Sequence, residues 1–321
     1  MDNNLPIVPI SLPLPFPSPE SVNAYLIEDD PLTLVDPGMK SSRSLAILER
    51  ALADRGIDFQ SIKRVLLTHG HVDHFGAAGE LQRRSGAEIL IHEEDLSKIT
   101  LSGEPANEIY LHNTGIPPGL MNNFSQIDQM MNRYSEPIEE ITTFDGNISL
   151  EFEHFYLQSL HLPGHSSGHT VFYWPEKELL LSGDIVLPSI TTNPLAEPVN
   201  TPAGVKRSLS LSQMLDSLQQ LASMEINLVF PGHGPRIENP PELINSRIAF
   251  YQQRLEEIYA LLKSTGPQDP YQLAQAFFKG RLQGLDIILA VNEILVNLDL
   301  LVHQGRVYEE QIDGVSLFGA C

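Results

Sequence analysis

Apolar runs flank the turn "EDDP" between residues 22 and 38, which predicts a hairpin. Residues 44–56, "SLAILERALADRG", carry apolar positions at helical spacing and stop at Gly56. "IKRVLLTH" (62–69) predicts a short buried strand, "HFGAAGELQRRSG" (74–86) a helix ending at Gly86, and "AEILIHEED" (87–95) the next strand. This β-α-β alternation predicts an α/β layered architecture. Residues 96–140 break the rhythm, are rich in Asn and Met, and read as a helical insertion. Strand patterns resume over 147–187, a helix follows at 207–223, and "INLVFPGHG" (226–234) is a last strand running into a histidine.

After "PRIENPP" the pattern becomes helical. A long helix is predicted over 242–264, a second over 269–280 and a third over 286–305. The third has apolar residues at 287, 288, 291, 294, 295, 298, 301 and 302, and "RVYEE" (306–310) then reads as a strand. Helix-helix-helix-strand predicts a small C-terminal domain of winged-helix type over 239–321, after a first domain of residues 1–238.

Composition narrows the function classes. Of 321 residues 42% are apolar, so a packed core is expected and disorder is not. The net charge of −21 opposes nucleic acid and anionic membrane, and the densest basic spots are the pairs Arg83-Arg84 and Lys206-Arg207. Residues 240–321 hold ten acidic and six basic residues, a net of −4, unlike a nucleic-acid-binding winged helix. The single cysteine, Cys321, excludes a disulfide framework and a thiolate metal site. The start is acidic and punctuated by prolines, unlike a secretory signal, and no window reaches the roughly 18 apolar residues of a membrane span. A cytoplasmic protein is expected.

Candidate chemistry sits in "THGHVDH". His69, His71, Asp73 and His74 lie where a strand ends and a helix begins. Four donors in one short loop face a common cavity but strain to bind one ion; two ions sharing the loop is the natural geometry. Three further donors stand at strand ends: His165 in "LPGHSSGH", Asp184 in "LLLSGDIV" and His233 in "LVFPGHG". Ligand sites of open α/β sheets collect at those ends. Imidazole and carboxylate suit zinc, and also iron or manganese.

In this order, "THGHVDH", "PGHSSGHT", "SGD" and "PGHG" resemble the metallo-β-lactamase superfamily, and more closely its glyoxalase II-like hydrolases, over roughly residues 20–236. The resemblance implies a four-layer αββα sandwich with two divalent metal ions at one edge. It implies His69, His71 and His165 on the first ion, Asp73, His74 and His233 on the second, and Asp184 bridging both. A hydroxide shared by the ions would attack the substrate, its pKa lowered from about 15.7 toward 7. His71 and Asp73 are the residues expected to matter most for turnover, Asp73 by orienting the nucleophile or moving its proton. The C-terminal eighty residues are similar, by helix order alone, to the appendage of lactamase-β-2-like proteins.

Asp36 and His169 are expected to support the ligands, the alternative for Asp36 being a turn before Pro-Gly. Ser166 and Ser167 are expected to form a tight turn, and His92, His112, His154 and His161 to be structural or surface. Met121, Phe124, Met130, Met131 and Tyr134 either wall an apolar substrate or pack the insertion itself. Residues 187–194, "LPSITTNP", are expected at the pocket mouth. Lys206 and Arg207 either meet a substrate anion or begin a solvated helix. The leading expectation is hydrolysis of an acyl thioester, ester or lactone, a small molecule. The alternatives are a phosphodiesterase or ribonuclease of the same superfamily, and a non-catalytic metal-bearing binding protein; a homodimer stays open.

Overall fold

A computed structural model describes residues 5–16, 18–100, 113–121, 130–202, 204–280 and 282–321. The first sheet has the order β1 (Ile7–Pro13), β2 (Ser21–Ile27), β3 (Thr33–Val35), β4 (Arg64–Leu66), β5 (Glu88–His92) and β6 (Ile141–Phe144). Its first two pairings are antiparallel and the next three parallel. The second sheet is built from β7 (Ser149–Glu151), β8 (Tyr156–His161), β9 (Thr170–Trp174) and β10 (Leu179–Gly183). After a separate hairpin of β11 (Pro198–Thr201) and β12 (Gly204–Arg207), it is completed by β13 (Leu228–Pro231). The order is β13-β10-β9-β8-β7, parallel only between β10 and β13.

Both faces of each sheet are covered, which is why the strands read as nearly continuous apolar runs. Successive side chains alternate between faces. Tyr25 and Ile27 of β2 point inward, with Leu66 and Leu90, against Phe172, Trp174, Leu181 and Phe230 of the second sheet. Ala24 and Leu26 point outward, with Val65 and Ile89, onto helices α1 (Ser42–Ala53) and α3 (Ala78–Ser85) through Leu48, Leu52 and Leu81. The outer face of the second sheet, including Val171, Leu180 and Val229, packs on α5 (Ser210–Ala222) through Leu211, Met214 and Leu218. The layers are therefore α, β, β and α, as expected. The outer apolar cluster continues past residue 238 into α6 (Pro240–Thr265), α7 (Pro270–Phe277) and α8 (Leu285–His303) through Ile258, Leu273 and Ile294.

Several local expectations change. The proline-punctuated start carried no predicted element, yet 7–13 is strand β1. It lies at the sheet edge, where a proline that donates nothing is tolerated. Ile10 and Leu12 alternate into the core. The helix predicted over 74–86 is two pieces, α2 (Val72–Phe75) and α3. Between them the chain passes Tyr134 so closely that a Cβ on Gly76 would lie 2.3 Å from its carbonyl oxygen. The insertion opens with α4 (Leu96–Ile99). The four of its five apolar residues that are described do not share one core. Met121 packs against the outer cluster of the second sheet, Met131 and Tyr134 against that of the first, and Met130 is exposed. Phe124 and His112 lie outside the described residues.

Residues 204–207 are strand β12, not the start of a helix. The Arg207 guanidinium meets Asp299 of α8 at 2.7 Å and Glu309 at 2.9 Å, so it is engaged within the protein and not offered to a substrate anion. At the C-terminus the strand expected over 306–310 is β14 (Val307–Ile312). It pairs with β15 (Val315–Ala320) around Asp313-Gly314, both at positive φ.

Candidate metal centre

Five imidazoles and two carboxylates meet at one rim of the sandwich, beyond the C-terminal ends of β4, β10 and β13. His69, His71, Asp73 and His74 come from the β4–α2 connection. His165 comes from the β8–β9 turn, Asp184 follows β10 and His233 follows β13. Their donor atoms group into three sets, each within 4.8 Å: His69–His71–His165, His69–His74–Asp184, and Asp73–His74–His233. His74 Nε2 lies 3.4 Å from Asp184 Oδ1, and His233 Nε2 lies 3.3 Å from Asp184 Oδ2 and 3.4 Å from Asp73 Oδ2. His165 Nε2 is 3.7 Å from Asp184 Oδ2. Asp184 thus lies within 3.7 Å of His74, His165 and His233.

The other ring nitrogens fix which atom faces inward. His74 Nδ1 lies 2.8 Å from Asp36 Oδ2, His165 Nδ1 3.0 Å from the Asn193 carbonyl, and His233 Nδ1 2.7 Å from the Ser21 carbonyl. A carboxylate or carbonyl oxygen only accepts, so each Nδ1 carries a hydrogen and each Nε2 turns inward, as a bare lone pair whenever the ring is neutral. The Thr68 hydroxyl donates to Asp36 Oδ2 at 2.7 Å, so its oxygen accepts from His69 Nδ1 at 2.9 Å and leaves His69 Nε2 bare too. His71 reverses the pattern and points Nδ1 at His69 Nε2, 2.9 Å away.

These residues fit a pair of cations. His74 Nε2, His165 Nε2 and Asp184 Oδ1 are buried with no hydrogen-bond partner among the described residues. A buried polar atom without a partner costs about 1–3 kcal/mol. Three of them aimed at one place, beside further imidazoles, could serve as the donor set of a metal centre.

Charge divides the cluster. Burial pushes His69 well below its ordinary value, His71 down to about 3 and His165 down, reinforced for His69 by His74 and for His71 by His165. These three rings are neutral donors. Burial also opposes charging of His74 and His233. There Asp184 and Asp73 outweigh it, holding His74 well above its usual range and His233 at about 10. The same pairing overcomes burial for the carboxylates: Asp73 falls to about 2 and Asp184 well below the usual range.

Asp36 and His169 hydrogen-bond to the candidate ligands or to the residue beside them. Asp36 takes the Thr68 backbone N–H, the Thr68 hydroxyl and His74, and His169 Nε2 accepts the Asp184 backbone N–H at 3.1 Å. Residues 187–194 reach the site through Thr192, whose hydroxyl donates to the Asp184 carbonyl, and through Asn193. Ser166 donates to Asp95 and accepts from Lys98, a structural role in its turn. His154 is exposed beside Asp29, and His161 stacks on His92 at 3.9 Å.

Other supports escaped the sequence reading. Asp95, fully buried, accepts the backbone N–H of Gly70 at 2.7 Å and of Gly168 at 2.8 Å. It thereby joins the His69–His71 loop to the His165 turn. Lys98 neutralises it at 2.6 Å and also meets Glu197 at 2.6 Å; Glu197 in turn accepts the Ser167 N–H. The Asn23 amide donates to the Pro231 and Gly234 carbonyls on either side of His233.

A paired donor cluster of this kind, on the strand-end rim of an αββα sandwich, defines a metallo-hydrolase scaffold. The sequence pattern described as the Metallo-beta-lactamase superfamily matches residues 17–233, and the chain belongs to that superfamily. Its members bind metal ions, typically two. The chain is similar to the probable metallo-hydrolase YqjP of Bacillus subtilis, 25% identical over 320 residues and 92% of each protein. It is 32% identical over 168 residues to the hydroxyacylglutathione hydrolase GloC of Haemophilus influenzae, covering 51% of this chain and 66% of that protein. Among solved structures, the metallo-beta-lactamase family protein TTHA1429 from Thermus thermophilus superposes with a TM-score of 0.84 at 26% identity, over 98% of this chain and 99% of that one. No helix among the described residues is long and apolar enough to cross a membrane.

Proposed function

We propose that the protein is a dinuclear metal-dependent hydrolase of acyl thioesters or related acyl esters. His69, His71 and His165 would hold one divalent cation and Asp73, His74 and His233 the other, with Asp184 available to either. Zinc suits these donors, as do iron and manganese. The observation that carries the reading is the set of outward hydrogen bonds that turns the Nε2 of His69, His74, His165 and His233 into the cluster.

When bound, the cations supply Lewis-acid polarisation of the acyl carbonyl and an acidified water near neutral pH. The chain's own groups do the rest. The buried rings of His69 and His74 wall the inner side, while the Asp73 side chain, 20% exposed, borders the open side. There its carboxylate is placed to accept a hydrogen bond from the attacking water and orient it. Asp36 keeps His74 from turning its Nδ1 inward.

The likeness to a hydroxyacylglutathione hydrolase supports an acyl thioester substrate class. The net negative charge after residue 240 speaks against a nucleic-acid phosphodiester. The test is turnover of a generic thioester, a lactone and a bis-aryl phosphodiester by the purified full chain, before and after chelation. The expected result is thioester or ester cleavage lost on chelation and restored by added metal. Chelator-insensitive cleavage, or a phosphodiester cleaved faster than every acyl substrate, would overturn it.

A further inference from the structure

The C-terminal helices reach the metal centre through one short segment. Asn193 holds His165 by its carbonyl, and the hydroxyl of Thr192 holds the carbonyl of Asp184. Two of the seven cluster residues therefore take their place from consecutive residues of a connection with no secondary structure of its own. Thr192 is buried, so its backbone groups need partners inside the protein.

Those partners come from far along the chain. The buried Tyr251 hydroxyl of α6 donates to the Thr192 carbonyl, 59 residues away. Asn292 of α8, also buried, grips the segment with both ends of its amide. Its Nδ2 donates to the Pro194 carbonyl at 2.7 Å, and its Oδ1 accepts the Ala196 N–H at 3.0 Å. Arg247 of α6 donates to the Leu187 carbonyl at 3.0 Å and to the Thr191 hydroxyl at 3.2 Å. The segment is thus held on its outer side by two C-terminal helices and presents its inner side to His165 and Asp184.

We infer that Tyr251 and Asn292 are positioning residues of the metal centre, acting through residues 192–196 on His165 and Asp184. The inference rests on the metal reading proposed above. It gives the C-terminal helices a task that needs neither nucleic acid nor a second subunit. Ligand geometry must be held within about half an ångström for tight binding, and groups beyond the ligands set that precision. Freed of Asn292, the Pro194 carbonyl and Ala196 N–H would seek water, and Asn193 would move with them. His165 would then lose the acceptor that fixes its ring.

The test is metal titration of metal-free, full-length protein by competition with a chromophoric chelator, using Zn2+, with the Co2+ absorption spectrum as a second readout. Tyr251→Phe removes only a hydroxyl and Asn292→Ala removes the double grip. The expected result is two cations bound by the unaltered protein, and in each variant a loss of about tenfold in affinity with an altered Co2+ spectrum. The thermal transition of the metal-free variants should stay cooperative. Placed on top of His165→Ala, Asn292→Ala should cost little further affinity, because its route to the metal is already cut.

Unchanged affinity and spectrum in both variants would overturn the inference while leaving the metal reading intact. So would an Asn292→Ala effect of full size in the His165→Ala background. Failure of the unaltered protein to bind any cation would remove the metal reading itself, and the inference with it.

Discussion

Oδ2 of Asp36 sits 2.8 Å from Nδ1 of His74, and the same oxygen takes the hydroxyl of Thr68. One carboxylate therefore sets the tautomer of His74 directly and that of His69 through Thr68. It sits at the end of β3 with φ of +50°, a conformation that Asp and Asn tolerate better than most residues. Asp36→Asn keeps that backbone and the volume but puts an amide where the acceptor was. Metal affinity is expected to fall about 10- to 100-fold with the fold retained. Unchanged affinity by competition titration would show that His74 needs no such partner.

Gly232 leaves room for the cluster. A Cβ there would stand 2.2 Å from Asp184 Oδ1 and 2.8 Å from His74 Cε1. The neighbouring backbone is pinned by the Asn23 N–H, which donates to the Gly232 carbonyl at 2.7 Å, so it cannot easily retreat. Gly232→Ala is expected to lose at least one bound cation per chain, read by elemental analysis, while far-ultraviolet circular dichroism stays as in the unaltered protein.

Lys98 lies between the buried carboxylates Asp95 and Glu197. Burial disfavours its charge, but the two carboxylates overcome that and raise its pKa. Lys98→Met would leave two buried anions without their cation. Breaking a buried pair this way costs about 3–5 kcal/mol, against at most about 1 for an exposed pair. Urea denaturation of the metal-free protein checks this. A loss under about 1 kcal/mol would mean that water already shares the site.

His92 gives an acid dependence separate from the metal ligands. Burial and then the neighbouring His161 lower its pKa to about 4, and the backbone N–H groups of Glu94 and Gly146 point at its ring nitrogens. The neutral ring can accept one of them, whereas an imidazolium could accept neither. The unfolded chain takes this proton first, so the contribution is complete above about pH 6.5 and is lost as pH falls toward 4. His92→Gln should flatten the stability-versus-pH curve in that window by up to about 1.4 kcal/mol per pH unit. Equal slopes for both proteins would contradict the assignment.

The candidate ligands were legible in the sequence because each sits where an apolar strand stops and a glycine or a polar turn begins. "THGHVDH" and "PGHG" carry both the donor and the strand end that places it. Asp95, Lys98 and Glu197 were not legible. "HEEDLSK" reads as a solvated helix start, and nothing local says that Asp95 turns inward to a glycine 25 residues earlier and another 73 later. Tyr251 was hidden inside a helix whose apolar spacing accounts for it already, and Asn292 because its partners, Pro194 and Ala196, are 98 and 96 residues away. Strand β1 was missed because prolines argue against a strand wherever the pattern does not reveal an edge. Arg207 looked free because its partners, Asp299 and Glu309, are 92 and 102 residues away.

The central claim is that His69, His71 and His165 surround one cation, that Asp73, His74 and His233 surround another, and that Asp184 joins them. Anomalous diffraction from crystals of the metal-loaded protein, collected across the absorption edge of the added metal, reads this directly. Two peaks roughly 3.5–4 Å apart, one in each triad, are the predicted result. Crystals grown with saturating metal that show no peak among these seven side chains, or peaks only at the surface, would contradict it.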